Sequence, residues 1–130
     1  MNSEDTYDSR LTSHLKINAM TWQNLQESGI ADAPELAVEF LYYSPTKDKA
    51  DSLRDALDQN GYRVSVKPWG NFLRRTWLTT GTTTASGPSL EKLNKWVEWM
   101  VTAGVEHDSL FDGWGVQTEA LATSSGRKIR

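Results

Sequence analysis

The chain contains no cysteine. That excludes disulfides, thiolate metal sites and thiol nucleophiles, and it is compatible with a reducing compartment. No stretch approaches 18 consecutive apolar residues, so a simple transmembrane helix is excluded as well. Histidine is scarce, with only His14 and His107 available for metal or proton chemistry. Gly-x-Ser-x-Gly, the phosphate loop and His-Glu-x-x-His are all missing, so the commonest hydrolase and nucleotide-binding signatures have no foothold. Neither charge sign is in large excess: 14 basic against 17 acidic residues leave a formal charge of −3. This gives no electrostatic case for broad nucleic-acid binding. The first residues are polar and acidic, unlike a signal peptide, and a cytoplasmic protein is expected.

Tryptophan is the residue in surplus. Six in 130 residues are more than a small domain buries with ease, and tryptophan is enriched where proteins bind partners. Hydrophobic content of 38% and charged content of 24% otherwise describe an ordinary globular domain. The length fits a single domain over residues 1–122, followed by a flexible basic tail over residues 123–130.

The stretch Phe111-Asp112-Gly113-Trp114-Gly115-Val116 organises the rest. As a strand it puts Trp114 and Val116 on one side, Gly113 and Gly115 on the other. One face carries an aromatic anchor; the other is bare backbone that another element can approach closely. Asp112-Gly113 supplies a bulge or tight entry. A core role for Trp114 is expected.

Upstream, residues 1–10 read as frayed, and Leu11, Leu15, Ala19, Trp22 and Leu25 mark a helix from Ser9 to Glu27. Ile17 and Met20 lie off that stripe, which suggests a helix gripped on more than one side. Ser28-Gly29 stops it. Leu36–Tyr43 is a strand with apolar residues on both faces, so cover on both is expected. Thr46 opens a helix with Ala50, Leu53, Ala56 and Leu57 inward, ended at Asn60-Gly61. Tyr62, Val64 and Val66 alternate with polar residues in a second strand, and Pro68-Trp69-Gly70-Asn71 reads as a turn. A third strand is expected over Phe72–Thr83, with Gly81 weakening its far end. A helix then starts at Pro88, buries Leu93, Val97, Met100 and Val101, and is capped by Gly104.

The order is helix, then βαββαβ. This is an α+β, ferredoxin-like arrangement with an antiparallel sheet of order 4-1-3-2 and an additional N-terminal helix. That helix is expected to cover the open sheet face or the edge formed by the Trp114 strand.

With these elements placed, the chain resembles the family of the regulator of ribonuclease E activity B over roughly residues 17–118. The resemblance rests on Asn18 through Leu25 to Gly29, on Val38-Glu39-Phe40 through Tyr43, and on Gly61-Tyr62-Arg63-Val64. Its most specific part is the terminal Phe111-Asp112-Gly113-Trp114-Gly115. It implies a ferredoxin-like protein that is not an enzyme, needs no cofactor or metal, and acts by docking on a ribonuclease. The best-known members carry long acidic stretches and an acidic tail; this sequence ends Ser125-Gly126-Arg127-Lys128-Ile129-Arg130.

Several residues invite other readings. Glu106, His107, Asp108 and Asp112 could gather a divalent cation, but their spacing fits neither a calcium loop nor a zinc pair, and a solvated loop is expected. His14 reads as a surface residue. Arg63, Lys67, Arg74 and Arg75 could form a basic patch on the second and third strands, which leaves a single-stranded RNA-binding module as an alternative. A small-ligand or immunity-type binding domain is a further one. Against RNA, Asn71–Trp77 lacks the glycine-aromatic spacing of an RNA-recognition strand. The partner-contact candidates are Trp69, Trp96, Trp99 and Arg74. Trp96 and Trp99 flank Val97 and cannot both follow the buried stripe.

Overall fold

The computed structural model describes residues 3–71, 73 and 75–116, with side chains from Tyr7 onward. The elements run α1 (Ser3–Glu27), a short 3-10 turn (Ile30–Asp32), β1 (Glu35–Ser44), α2 (Lys47–Gln59), β2 (Arg63–Trp69), β3 (Thr76–Ser86), α3 (Leu90–Glu106) and β4 (Leu110–Val116). The four strands make one antiparallel sheet in the order β2-β3-β1-β4. The expected strand order is therefore observed, in a mixed α/β molecule.

Alternation along β1 decides which face is inside. Leu36, Val38, Phe40, Tyr42 and Ser44 are all buried, and the residues between them are not. Against this row lie Leu53 and Leu57 of α2 and Val97, Met100 and Val101 of α3, joined by Phe111 of β4. The aromatic rings meet edge to face: Phe40 sits 5.6 Å from Tyr62 and 6.0 Å from Trp96, and Tyr42 5.2 Å from Phe111. Such pairs add to what their buried area contributes. A second cluster of Leu25, Leu36 and Val38 ties the end of α1 and the following turn to the same face.

All three helices occupy this one face. Tyr7 and Asn18 of α1 meet Thr102 and Asn94 of α3, so the two helices run antiparallel. His14 reaches β4. The expected cover on both faces is thus not found among the described residues: α1 lies beside α3 and along the β4 edge, because its apolar stripe fits between them. Ile17 and Met20 are correspondingly exposed, at 54% and 66%, and are not gripped.

Other boundaries move for identifiable reasons. α1 begins at Ser3, not Ser9, since Tyr7 is anchored by its hydroxyl to Thr102 Oγ1 at 3.1 Å and packs on the core. β2 continues through Pro68 to Trp69, which pairs with Thr76; an edge strand tolerates the missing proline N–H. β3 therefore starts later than expected, at Thr76, and runs past Gly81 to Ser86. Gly81 does not end the strand. A Cβ there would lie 2.7 Å from Phe40 Cζ and 2.8 Å from Val64 Cγ1, so the glycine makes room for the core ring. Ser89, not Pro88, caps α3, its side chain accepting from Lys92 N at 3.2 Å. Gly104 is buried inside α3; a side chain would meet Ser109 O at 2.8 Å and the Tyr42 ring at 3.1 Å. The helix ends two residues later, with Asp108 taking the left-handed conformation at φ 52.

Candidate functional site

The face of the sheet opposite the helices has no cover among the described residues. Pairing sets out its rows from β4 to β2: Gly115, Glu39, Thr82, Arg63; then Gly113, Leu41, Thr80, Ser65; then Leu110, Tyr43, Leu78, Lys67. Trp69 follows Lys67 by two and stands on the same face, 51% exposed. Leu73, in the loop between β2 and β3, is exposed as well.

Across the sheet from α1 and β4 to β2 this face deepens into a groove of about 670 Å³, lined by the first two rows and by His14, Ile17 and Asn18 of α1. The size is that of a binding site for a small ligand or a few side chains. Local sequence explains the shape. The β1–β4 register shifts between Leu41 and Tyr42, so Asp112 is the extra residue of a bulge and Gly113 adopts φ 134. Beyond the bulge, Trp114 pairs with Phe40 on the helix side and Gly113 and Gly115 present bare backbone to the groove. The alternation expected of this segment is observed.

The inner wall is fixed by Asn18, which is buried and makes two side-chain bonds. Trp114 Nε1 donates to its Oδ1 at 2.7 Å, and its Nδ2 donates to Asn94 Oδ1 at 2.9 Å. His14 Nε2 donates to the Phe111 carbonyl at 3.1 Å, with its ring 5.1 Å from that of Phe111. His14 is thus half-buried at a helix–strand contact, contrary to its reading as a surface residue; a lone histidine beside an apolar stripe gives no sequence signal of a partner 97 residues away. Asn18 was legible only as part of a resemblance, with no role attached.

The contact candidates are not brought together. Trp69 stands on the open face. Trp96 and Trp99 belong to α3 on the other side. Trp96 is half-buried, donating from Nε1 to Tyr62 Oη at 2.9 Å; Trp99, 37% exposed, lies over Tyr62 at 5.7 Å. Arg74 and the basic tail lie outside the described residues. Arg63 and Lys67 are exposed on the open face, and Arg75 is exposed in the loop before β3. Within the motif, Phe111 is core, Asp112 exposed, and Trp114 half-buried against both core clusters.

The loop after α3 behaves as a structural connector. His107 Nδ1 and Ser52 Oγ are 2.7 Å apart, and Asp108 pairs with Lys49 at 3.0 Å, tying the end of α3 to α2. The serine–histidine contact is exposed, and among the described residues no carboxylate is bonded to the other ring nitrogen, which is what a triad requires. Among the described residues no three histidine or acidic side chains converge as metal ligands. No helix there is long and apolar enough to cross a membrane.

Residues 16–116 match the family described as Regulator of ribonuclease activity B. The chain belongs to that family. The match begins within α1 and ends with β4, so it spans the open face and every lining residue of the groove but His14. No curated protein matches the chain in its own right. The family is one of regulators of ribonuclease activity, which suggests a ribonuclease as partner.

Proposed function

We propose that this protein is a non-catalytic, cytoplasmic regulator that docks on a ribonuclease and changes what that enzyme processes, using a ferredoxin-like scaffold as a binding surface. Membership of the ribonuclease-regulator family carries the reading. A sheet with all its helices on one side supports it, because the other side is free to receive a partner. The mechanism is occupancy: the protein contributes no bond-making group, and its effect comes from what it covers.

Trp69 is the side chain best placed as an anchor. It combines large exposed area with a position on the open face, and it has Lys67 as a neighbour there. The RNA-binding alternative is less well supplied. The open face carries Tyr43 on β1 and Trp69 at the end of β2, but β3 contributes only Leu78, Thr80, Thr82 and Thr84, where an RNA-recognition strand presents aromatic rings.

The test is titration of the purified protein against ribonuclease E and a related ribonuclease, with RNA turnover followed in parallel. Saturable binding with altered turnover, and no turnover by the protein alone, is the expected outcome. Absence of both binding and any change in turnover overturns the reading. Direct binding to single-stranded RNA with a steep salt slope would favour the alternative.

A further inference from the structure

Gly115 has no reason of its own to be glycine. Its φ is not positive, and a Cβ built on it meets nothing within 4 Å. Contrast Gly81 and Gly104, where an added Cβ would come within 3.0 Å of neighbouring atoms, and Gly113, whose φ of 134 disfavours any side chain. Glycine in a strand interior weakens the strand and often marks a close approach of another backbone or ligand. Among the described residues nothing makes that approach.

The space over Gly115 is the groove, and its chemistry points to one kind of occupant. Glu39 sits beside Gly115 in the same row, Asp112 projects at the bulge, and Arg63 stands at the far end of the row on β2. Neither carboxylate has an ion-pair partner among the described residues, although four ion pairs form elsewhere on the surface. Leu41 and the exposed Ile17 supply an apolar floor and wall. At the β4 end the two unpaired carboxylates outweigh the groove's one arginine, Arg63, which lies two strands away from β1 on β2, so that end attracts a cationic side chain.

We infer that the groove over Gly113 and Gly115 is the docking site for an extended segment of the partner protein carrying an arginine or lysine between small apolar residues. The cation lies between Glu39 and Asp112, and the segment's backbone passes over Gly115, which a side chain there would prevent. This deepens the proposed function and rests on its premise that the protein acts by docking on a ribonuclease.

The experiment titrates the purified ribonuclease with the full-length protein and with Gly115→Val, Glu39→Lys and, on the helix side, the exposed Lys95→Ala, each checked by thermal unfolding. Gly115→Val and Glu39→Lys are expected to weaken binding by about tenfold or more, as loss of a central contact does. Their melting temperatures stay within about 2 °C of wild type, since no core contact changes. Lys95→Ala binds as wild type. If wild type binds and Gly115→Val binds equally well, the groove assignment falls while docking on the ribonuclease stands. A large loss of stability in both Gly115→Val and Gly115→Ala would place part of this chain itself in the groove and overturn the proposal. So would concentration-dependent self-association in wild type that Gly115→Val abolishes, which makes a second copy the occupant. If wild type does not bind the ribonuclease at all, the functional reading fails, and the groove is tested separately with a labelled peptide of alternating arginine and valine. Saturable binding lost in Gly115→Val and Glu39→Lys supports the groove; no binding overturns it. Polyuridylate binding that Gly115→Val abolishes would also overturn it, in favour of RNA.

Discussion

Trp114 ties both core clusters to α1. Its ring packs against both core clusters and its indole nitrogen is held by Asn18. Truncating it leaves a cavity between β4 and the helices and strips Asn18 of a partner. Trp114→Ala should cost about 3 to 5 kcal/mol in denaturant unfolding. A variant that unfolds at the wild-type midpoint would show that the ring contributes little to the core. Tyr42 makes a different prediction. Burial, with a smaller contribution from neighbouring Tyr62, pushes its phenol well above the ordinary tyrosine range, and its hydroxyl donates to the Met100 carbonyl at 2.7 Å. Below about pH 10 the folded and unfolded chains both keep this proton. Above it the unfolded chain releases the proton and the folded chain does not, so stability falls as pH rises. Tyr42→Phe should lose about 1 kcal/mol at neutral pH and show a shallower alkaline decline. Denaturation midpoints of both proteins at about pH 8 and about pH 11 check this. Equal declines would remove Tyr42 as the cause.

Among the elements, β3 depends on an absent side chain. Gly81→Ala should push Phe40 or Val64 aside and cost about 1 to 3 kcal/mol, the usual penalty of overpacking. Thermal unfolding measures it; a variant as stable as wild type would mean that the Phe40 ring moves freely. α1 is the other dependent element. Removing residues 1–28 uncovers the β4 edge and the side of α3, so the shortened protein should aggregate or bind a hydrophobic dye. A monomeric product of unchanged stability would make α1 an appendage. Local chemistry in the sequence was enough for the elements themselves: Thr46 and Gly61 bound α2 as expected, and the Trp114 strand alternates as its letters require. What sequence periodicity could not show was where β1's second apolar face would go, because Leu41 and Tyr43 look alike whether a helix or solvent covers them. Gly81 and Gly104 misled for a related reason. Glycine reads as a break, and only packing against Phe40 or Tyr42 reveals that it is a fit. The groove was half legible: Gly113 and Gly115 announced an open approach, while Glu39, Ile17 and Asn18 come to it from elements far off in the chain.

At the scale of the whole molecule the two sides of the sheet differ: one is packed by helices and the other is uncovered among the described residues. A net charge of −3 provides little long-range attraction, so association with a ribonuclease should depend weakly on salt. Measuring the affinity across ionic strength checks this, and a loss of several orders of magnitude would point to extensive charge pairing instead. Trp69→Ala should lose about 2 kcal/mol or more of binding while its melting temperature holds. Unchanged affinity would remove Trp69 from the contact.

The bonds of Tyr7, His14 and Asn18 to Thr102, Phe111 and Trp114 each span about 95 residues or more. α1 is therefore made well before α3 and β4, and these contacts cannot form until both have followed it. At about 5 to 20 residues per second, that interval lasts several seconds or more. A chain that lacks β4 leaves Asn18 without its Trp114 partner and His14 without the Phe111 carbonyl, so the contacts that lock α1 in place close only once that strand has been made.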